Sequence, residues 1–193
     1  MPQVYAQAAV LAATAAMVAI RAPHGQRSRS VPVRRSARGG VEVALLTAMW
    51  VAFFVPLAWV FAPVLGFADY PLRPVPYAAG LACLAAGLWL FHRSHADLGT
   101  NWSITLEVRE GHRLVTEGVY RHVRHPMYLA LLLYGAGQAL VLPNWVAGPS
   151  YAVATLVLVA VRVGPEERLM REEFGAAYDT YAARTRRVVP HVW

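Results

Sequence analysis

Residues 127–163, MYLALLLYGAGQALVLPNWVAGPSYAVATLVLVAVRV, contain two apolar runs that are separated by a short turn sequence. The runs cover 127–143 and 145–163, and each approaches the ~20 residues that a helix needs to cross ~30 Å of hydrocarbon. Pro143 followed by Asn144 is typical of a turn, because proline cannot continue a helix and asparagine accepts turn backbone angles. The stretch therefore predicts two antiparallel membrane helices that form a tight hairpin.

The rest of the chain has the same apolar character. Of the 193 residues, 57% are hydrophobic and only 15% are charged, which is less charge than a soluble domain of this length carries. Three further apolar runs lie at 4–20, 41–67 and 74–91. The run 41–67 is long enough to span with tilt, and we expect kinks at Pro56 and Pro63. We predict an all-α polytopic membrane bundle of about five transmembrane helices, forming a single domain over 1–193.

Small residues predict how these helices pack. Gly135 and Gly137 lie inside an apolar helix, where such residues are more often a packing surface than part of a nucleotide loop, and Gln138 is expected to hydrogen-bond between helices. Alanines also recur four residues apart in two of the runs, which predicts close helix contacts at Ala8, Ala12, Ala16, Ala78, Ala82 and Ala86.

The charges predict the orientation of the chain in the membrane. All 18 basic residues are arginine, and they fall in blocks between the apolar runs, which argues against a nucleic-acid-binding domain despite the net charge of +7. Six arginines lie in 21–40, five in 92–126 and five after residue 163, whereas 68–73 holds one and 142–149 none. The positive-inside rule then puts the N-terminus outside and the C-terminus, with its helical segment, in the cytoplasm. The expected location is a bacterial cell membrane.

Two features narrow the alternatives further. The flank MPQVY before the first apolar run has no positive charge, so this run is not expected to be a cleaved signal peptide. Cys83 is the single cysteine and lies in an apolar run, which excludes a disulfide framework and a multi-cysteine metal site. The Arg-rich segment 21–40 is interpreted as a topology anchor, with binding of anionic lipid headgroups as the alternative.

The segment 92–130 ends in a cationic cluster at the start of an apolar helix. Pro126 suits the first turn of a helix, so the fourth span is predicted to begin at His125-Pro126. The free N–H groups of that turn favour a carboxylate or phosphate, and Arg121 and Arg124 add positive charge. His125 and Tyr128 can hydrogen-bond to a ligand there. The alternative is a basic collar that only anchors the span at the lipid boundary.

The segment 162–190 supplies the opposite charge. Pro165 predicts a helix start with Glu166 and Glu167 in its first turn, where carboxylates are favoured. Carboxylates beside a membrane span are costly to desolvate, so they are usually either paired with a cation or functional. The structural alternatives to a functional role are that the two glutamates compensate the helix dipole or that Glu166 forms an ion pair with Arg162. If this helix continues, one face carries Glu166, Met170, Phe174, Tyr178 and Tyr181.

Histidine spacing gives a weaker signal. His92 and His95, and likewise His122 and His125, are three residues apart and could bind a metal or haem on one helix face. No third ligand is evident, and the sequence predicts no metal site.

These two segments together resemble the isoprenylcysteine carboxyl methyltransferase family of integral membrane proteins, and also the related phospholipid methyltransferases. The similarity covers about 97–190, in two separated motifs in the right order. Val119 stands where the family commonly has proline. The matching positions are Gly118, Tyr120, Arg121, Arg124, His125, Pro126, Met127, Tyr128, Glu166, Glu167, Leu169, Glu173, Phe174, Gly175, Tyr178, Tyr181, Arg184, Arg187 and Pro190.

The resemblance implies methyl transfer from S-adenosyl-L-methionine, with a cofactor site built from 92–130 and 162–190. Arg124 and His125 suit the carboxylate of the methyl donor. Both lie at the cationic helix start, to which Arg121 and Pro126 also belong. Glu166 and Glu167 suit its ammonium group or ribose hydroxyls. Tyr120 and Tyr128 are expected to line the adenine pocket.

The acceptor implied by the resemblance is a lipophilic molecule that enters from the bilayer. A carboxylate acceptor needs an arginine to hold it, for which Arg184 and Arg162 are the candidates. An amine or thiol acceptor would need a base, for which Glu167 is the candidate. The alternatives are a phospholipid N-methyltransferase, a thiol S-methyltransferase and a non-enzymatic haem- or lipid-binding membrane subunit. Membrane lipids are expected partners; nucleic acid is not, and the sequence identifies no protein partner.

Overall fold

The computed structural model describes residues 1–29, 33–36, 39–99, 107–109 and 113–189 of the chain. The side chains of 27–29, 33–36 and 107–109 are outside that description, as is Pro190 of the predicted motif. Six helices are present in these ranges: α1 (Val4–Arg29), α2 (Gly40–Phe61), α3 (Pro74–Leu98), α4 (Pro126–Val141), α5 (Ala147–Phe174) and α6 (Ala176–Arg184).

The five predicted apolar runs all form helices. Helices α1, α2, α3 and α5 are long and apolar enough to cross a membrane, whereas α4 is a shorter apolar helix of 16 residues. Helix α4 packs between α3 and α5, so the helices form one bundle. The predicted helical membrane fold is confirmed.

The connections on the arginine-rich side contain a small departure from all-α structure. Strand β1 (Val33–Ser36) pairs in antiparallel fashion with strand β2 (Glu107–Arg109). This pair joins the connection after α1 to the connection after α3, so both arginine-rich segments lie at the same end of the bundle, as the charge pattern predicts.

Two proline positions differ from the prediction. The second span ends at Phe61, and Pro63 begins a separate 3-10 turn (Pro63–Ala68) instead of kinking a longer helix. Helix α5 runs through Pro165, so the prediction that Pro165 begins a new helix is wrong. Proline removes only one backbone hydrogen bond, and α5 buries Val163 and Glu167 on either side of Pro165, so packing outweighs that loss.

The predicted continuous helical face from Glu166 to Tyr181 is also interrupted. Gly175 has φ +52° and separates α5 from α6. A positive φ is strained for residues with a Cβ, so glycine suits this helix end. The aromatic side chains beyond Gly175 therefore reach the site from a separate helix.

Glycine, not alanine, forms the close helix contact. A Cβ on Gly80 would lie 2.9 Å from the carbonyl oxygen of Gly137, and a Cβ on Gly87 would lie 2.9 Å from the backbone nitrogen of Tyr134. The predicted alanine contacts are wrong, because Ala8, Ala12, Ala78, Ala82 and Ala86 are exposed and Ala16 is only partly buried. The buried face of α1 instead carries Ala6, Val10, Ala13 and Met17. The interpretation of Gly135 and Gly137 as packing residues is confirmed.

We expect Gly87→Val to lower the free energy of unfolding by about 1–3 kcal/mol or more, because the added carbons push α3 away from α4. Chemical unfolding of the detergent-purified protein measures this. The control is Gly66→Ala, since a Cβ on Gly66 meets no atom within 4 Å. Equal stability of the Gly87→Val variant and the wild type would contradict the close α3–α4 contact.

The turn between α4 and α5 has the predicted hairpin geometry. The side-chain carbonyl of Asn144 accepts from the backbone N–H of Val146 and Ala147 at the start of α5, while its amide donates to Asp69 at 2.7 Å. The Gln138 amide donates to the carbonyl oxygen of Ala147 at 2.9 Å, as expected for a residue that joins two helices. These bonds fix α4 against α5 at the end opposite the arginine-rich segments.

Candidate active site

A cavity of about 280 Å³ runs into the bundle from the arginine-rich end. The polar part is lined by the connection between α3 and α4 and by residues of α4, α5 and α6. The apolar part is lined mainly by residues of α1, α2 and α5. The polar lining includes Arg113, Tyr120, Arg124, His125, Tyr128, Glu166, Tyr178 and Tyr181. The apolar lining includes Met17, Val18, Leu46, Met49, Trp50, Phe53 and Leu158.

The segment before α4 is anchored to the end of α3. Gly118 has φ +59°, and a Cβ there would clash with the Asp97 carboxylate. Asp97 accepts a hydrogen bond from the backbone N–H of Val119 at 2.9 Å. This anchor places the buried Tyr120, whose carbonyl oxygen accepts from the Tyr181 hydroxyl at 2.7 Å. The Val119 departure from the family pattern therefore leaves the turn intact.

His125 lies between two carboxylates at the predicted start of α4. Its Nδ1 is 3.4 Å from Glu166 Oε1 and its Nε2 is 3.5 Å from Glu167 Oε1. The imidazole is buried and stacks on the Tyr128 ring, with a centroid distance of 5.5 Å. Burial alone would lower the pKa of His125, but hydrogen bonds and charge from Glu166 and Glu167 outweigh burial and raise it. The imidazolium form is therefore favoured.

This raised pKa predicts a pH-dependent stability. The contribution of His125 is fully present below its unfolded pKa of about 6.5 and is lost as pH rises through the higher folded value. We expect the melting-temperature difference between wild type and His125→Gln to be largest near about pH 6 and to shrink towards about pH 9. His122→Gln, at an exposed histidine, should show no such trend. A gap that widens with pH would contradict the ion pairs of His125.

Glu166 is the carboxylate that faces the cavity. It accepts a hydrogen bond from the Tyr128 hydroxyl at 2.5 Å, and its side chain keeps 30% of its surface exposed. Counted along α5, Glu166 lies about 28 Å from Ala147, close to the ~30 Å thickness of a hydrocarbon core. The carboxylate therefore lies near the arginine-rich end of the part of α5 that is long enough to cross the membrane.

Glu167 lies behind the cavity wall in a cluster of cations. Its side chain is 1% exposed and its carboxylate is 2.8 Å from Arg124 Nε and 3.3 Å from Arg187 Nε. Arg171 is 3.9 Å away on the same helix. These contacts make Glu167 the centre of the charge network that supports the site, not part of its lining.

Arg124 also holds the C-terminal segment against the site. Its Nη1 donates to the carbonyl oxygens of Ala182 and Thr185. The backbone N–H groups of Arg124 and His125 donate to the carbonyl oxygens of Arg186 and Arg187 at 2.7 and 2.8 Å. These bonds hold the chain after α6 against the connection that precedes α4, beside the polar part of the cavity.

A second ionic group lies at the junction of the polar and apolar parts. Arg162 of α5 is buried, and its Nη2 is 3.4 Å from Glu42 Oε1 in the first turn of α2. The alternative pairing of Arg162 with Glu166 predicted from their spacing is not among the ion pairs, although the two side chains interact electrostatically. Arg21 of α1 also lines the cavity and interacts electrostatically with Arg162.

Most of the residues predicted from the sequence meet around this cavity. Its lining contains Tyr120, Arg124, His125, Pro126, Tyr128, Arg162 and Glu166. Arg121 and Arg184 are exposed and lie outside the lining, and Arg121 Nε instead donates to His122 at 2.9 Å. Glu167 is adjacent but behind the wall.

Several residues at the site have no role assigned from the sequence. Arg21 and Arg113 line the cavity and Glu42 supports it from behind, and none of the three belongs to the predicted motifs. Tyr178 and Tyr181 in the lining and Arg187 behind it are motif positions, but the sequence assigns them no function. The spacing Met17, Arg21, His24 on α1 is the one signal that could have placed Arg21 on the buried face.

The histidine pairs form no metal cluster in the part of the chain that the structure describes. His95 is buried, and its Nδ1 lies 2.8 Å from the carbonyl oxygen of Phe91. Its ring also packs against His24 with a centroid distance of 5.1 Å. His95 is therefore part of the α1–α3 contact.

The apolar part of the cavity borders the outer surface of the bundle. Val18 of α1 and Trp50 of α2 line it, yet 52% and 58% of their surfaces are exposed. Both helices are long and apolar enough to span a membrane. The apolar part therefore lies next to a surface of α1 and α2 that would face lipid.

Fold and site together define a polytopic membrane protein whose cavity joins an ionic part to an apolar part. The family model of isoprenylcysteine carboxyl methyltransferase (ICMT) matches residues 79–172. This region of the chain is similar to the isoprenylcysteine carboxyl methyltransferase family, the family that its two motifs resemble.

Individual relatives agree with that assignment. Protein-S-isoprenylcysteine O-methyltransferase B of Arabidopsis thaliana is 33% identical over 115 residues, which are 58% of this chain and 58% of the relative. The Homo sapiens protein-S-isoprenylcysteine O-methyltransferase is 30% identical over 115 residues, 58% of this chain and 40% of the relative. The solved structure of a eukaryotic intramembrane Ras methyltransferase, ICMT, superposes with TM-score 0.55 at 26% identity, covering 78% of this chain and 52% of that one.

The chain spans only about half the length of the proteins it matches. The matched family region begins at residue 79, so α1 and α2 lie before it. The residues that α1 and α2 contribute to the cavity are therefore a feature of this chain that the family model does not cover.

Proposed function

We propose that this protein is a membrane methyltransferase that transfers a methyl group from S-adenosyl-L-methionine to the carboxylate of a lipophilic acceptor. The observation that carries this proposal is the single cavity that is ionic at the arginine-rich end and apolar between α1 and α2. The relatives are protein-S-isoprenylcysteine O-methyltransferases, which supports an S-prenylated cysteine or a similar lipidated acid as the acceptor.

The residues at the ionic end suit the methyl donor. The Tyr178 hydroxyl is buried in the cavity lining and has no hydrogen-bond partner among the described residues, so a polar ligand would satisfy it. Glu166 is placed to bind the ammonium group or a ribose hydroxyl, and His125 with the first turn of α4 suits the carboxylate. Tyr120 and Tyr128 line the same space, where an adenine ring would stack.

The charge balance favours a carboxylate acceptor over an amine. Four arginines line the cavity with one glutamate, and Glu42 and Glu167 support it from behind, so cations exceed carboxylates even before His125 is counted. A bound methyl donor adds a sulfonium, which supplies the electrophilic methyl group. An anionic acceptor lowers the net charge of this assembly, whereas a protonated amine raises it.

The mechanism follows from alignment. Arg162, held by Glu42, would bind the acceptor carboxylate at the junction of the two parts. One carboxylate oxygen would form the new bond to the methyl carbon as the bond from sulfur to that carbon breaks, and S-adenosylhomocysteine would leave. A carboxylate is already ionised, so no base is required, and Glu167 serves as the counter-ion of Arg124. The apolar lining excludes water, which would otherwise solvate the attacking oxygen.

This function fixes the orientation in the membrane. The methyl donor is water-soluble and cytoplasmic, so the arginine-rich end faces the cytoplasm, which agrees with the positive-inside distribution of the 18 arginines. The N-terminus, at the opposite end of α1, then lies outside the cell membrane.

Calorimetric titration of the detergent-purified protein with S-adenosylhomocysteine tests the donor site, and radiolabelled methyl transfer tests the acceptor. We expect saturable binding and base-labile methylation of N-acetyl-S-farnesylcysteine. Methylation of an aminophospholipid or a thiol instead would overturn the carboxylate assignment. A well-folded protein that binds no S-adenosylhomocysteine and shows a Soret band would indicate the haem-binding alternative.

A further inference from the structure

We infer that Arg21 of α1 binds the acceptor carboxylate together with Arg162 of α5, so that two guanidinium groups in the cavity lining select an anionic acceptor. The inference rests on the proposed function, and it names a residue outside the region 79–172 that the family model matches. In the sequence, Arg21 belongs to the segment 21–40, which is interpreted as a topology anchor, with binding of anionic lipid headgroups as the alternative.

The position of Arg21 on α1 turns it towards the bundle. The buried face of the helix carries Ala6, Val10, Ala13 and Met17, and Arg21 follows Met17 by four residues. One turn further, His24 packs against His95 of α3. Arg21 therefore lies on the face that is turned towards the bundle, and it is one of the residues that line the cavity.

Arg21 also lies at the depth where an acceptor head must sit. On α1, the apolar lining residues Met17 and Val18 are followed one turn later by Arg21. On α5, the apolar lining residue Leu158 is followed one turn later by Arg162. On both helices the arginine marks the change from apolar to polar lining, and Glu166 lies one further turn along α5. An acceptor whose tail occupies the apolar part would place its head between the two arginines.

The like charges of Arg21 and Arg162 would be stabilised by an anionic ligand in the cavity. Arg21 and Arg162 are close enough to repel each other, and burying like charges together is costly. Glu42 contacts Arg162 but is not part of the lining, so it holds Arg162 from outside the cavity. A carboxylate between the two guanidiniums would accept hydrogen bonds from both, and arginine is the residue best suited to such planar recognition.

The test compares two ligands that differ only at the head. N-acetyl-S-farnesylcysteine carries the carboxylate, and its carboxamide has the same tail but no charge. Three variants of the whole chain are purified in detergent: wild type, Arg21→Gln and Arg21→Lys. For each variant we measure the KM of the acid, the inhibition constant of the carboxamide and the Kd of S-adenosylhomocysteine. The matched control is Arg168→Gln, at an exposed arginine on the same helix as Arg162.

We expect Arg21→Gln to raise the KM of the acid about tenfold or more, since a charged hydrogen bond is lost. The inhibition constant of the carboxamide and the Kd of S-adenosylhomocysteine should stay within about twofold of wild type, because neither ligand depends on that charge. Arg21→Lys should recover part of the loss, and Arg168→Gln should match wild type. If Arg21→Gln fails to fold, Arg21→Lys carries the test, with a few-fold rise for the acid alone.

Equal weakening of the acid and the carboxamide would show that Arg21 only shapes the cavity, which overturns the inference. An unchanged KM for the acid in a folded Arg21→Gln variant would overturn it as well. In both cases intact binding of S-adenosylhomocysteine would leave the proposed function standing. Absence of that binding in the wild type would instead overturn the proposed function and this inference together.

Discussion

Replacing Glu167 with glutamine is expected to lower the free energy of unfolding by about 3–5 kcal/mol, because it leaves the buried Arg124 guanidinium without its counter-ion. Glu167 is 1% exposed and its carboxylate contacts Arg124, Arg187 and the His125 ring. Glutamine has the same shape but no charge, so the loss measures electrostatics and not packing. Chemical unfolding of the detergent-purified protein, followed by tryptophan fluorescence, gives this free energy.

Glu172→Gln is the matched control, since Glu172 is an exposed glutamate on the same helix and surface ion pairs contribute about 0–1 kcal/mol. The Glu167→Gln variant should also release the C-terminal segment that Arg124 holds, which limited proteolysis after Thr185 would detect. A variant as stable as Glu172→Gln would show that Glu167 does not organise the site.

Replacing Glu166 with glutamine is expected to weaken binding of S-adenosylhomocysteine roughly 10- to 100-fold, the amount that a charge-assisted hydrogen bond contributes. Unlike Glu167, Glu166 lines the cavity and keeps 30% of its side chain exposed, so stability should fall much less. Calorimetric titration measures the affinity, and the unfolding free energy of the same sample separates lost binding from lost folding.

Tyr128→Phe is the companion variant, because it removes the hydroxyl that donates to Glu166 but keeps the carboxylate. We expect its loss of affinity to be smaller than that of Glu166→Gln. If Glu166→Gln bound S-adenosylhomocysteine like the wild type, Glu166 would be a structural partner of Tyr128 and His125 and not a ligand-binding residue.

Much of the fold could be predicted because the bilayer imposes simple requirements. Runs of apolar residues close to membrane thickness predict spans, and Pro143-Asn144 predicts the hairpin of α4 and α5. Local signals failed where tertiary contacts decide. Pro165 predicts a helix start in isolation, yet buried contacts on both sides keep α5 continuous. Alanine spacing likewise cannot show which face of a helix meets a neighbour.

In the candidate site, too, some residues could be predicted from local sequence motifs and others could not. Arg124, His125 and Glu166 could be found because two local motifs carry them, and a cationic helix start near carboxylates indicates a site without knowledge of the fold. Arg21 and Glu42 come from helices that are far from these motifs in sequence. Only the packing of α1 and α2 against α5 brings them to Arg162. The sequence likewise does not distinguish exposed Arg184 from Arg187, which contacts Glu167.

The short length of α4 leaves a recess at the arginine-rich end of the bundle. With 16 residues, α4 is about 24 Å long, whereas a hydrocarbon core is ~30 Å thick. Because α4 is fixed to α5 at the opposite end and lies between α3 and α5, its missing length falls at the arginine-rich end, where α5 runs on to Phe174. His125 and Pro126 therefore lie deeper in the bundle than the end of α5. Under the proposed function, an acceptor anchored in lipid would present its carboxylate to this recess without leaving the membrane.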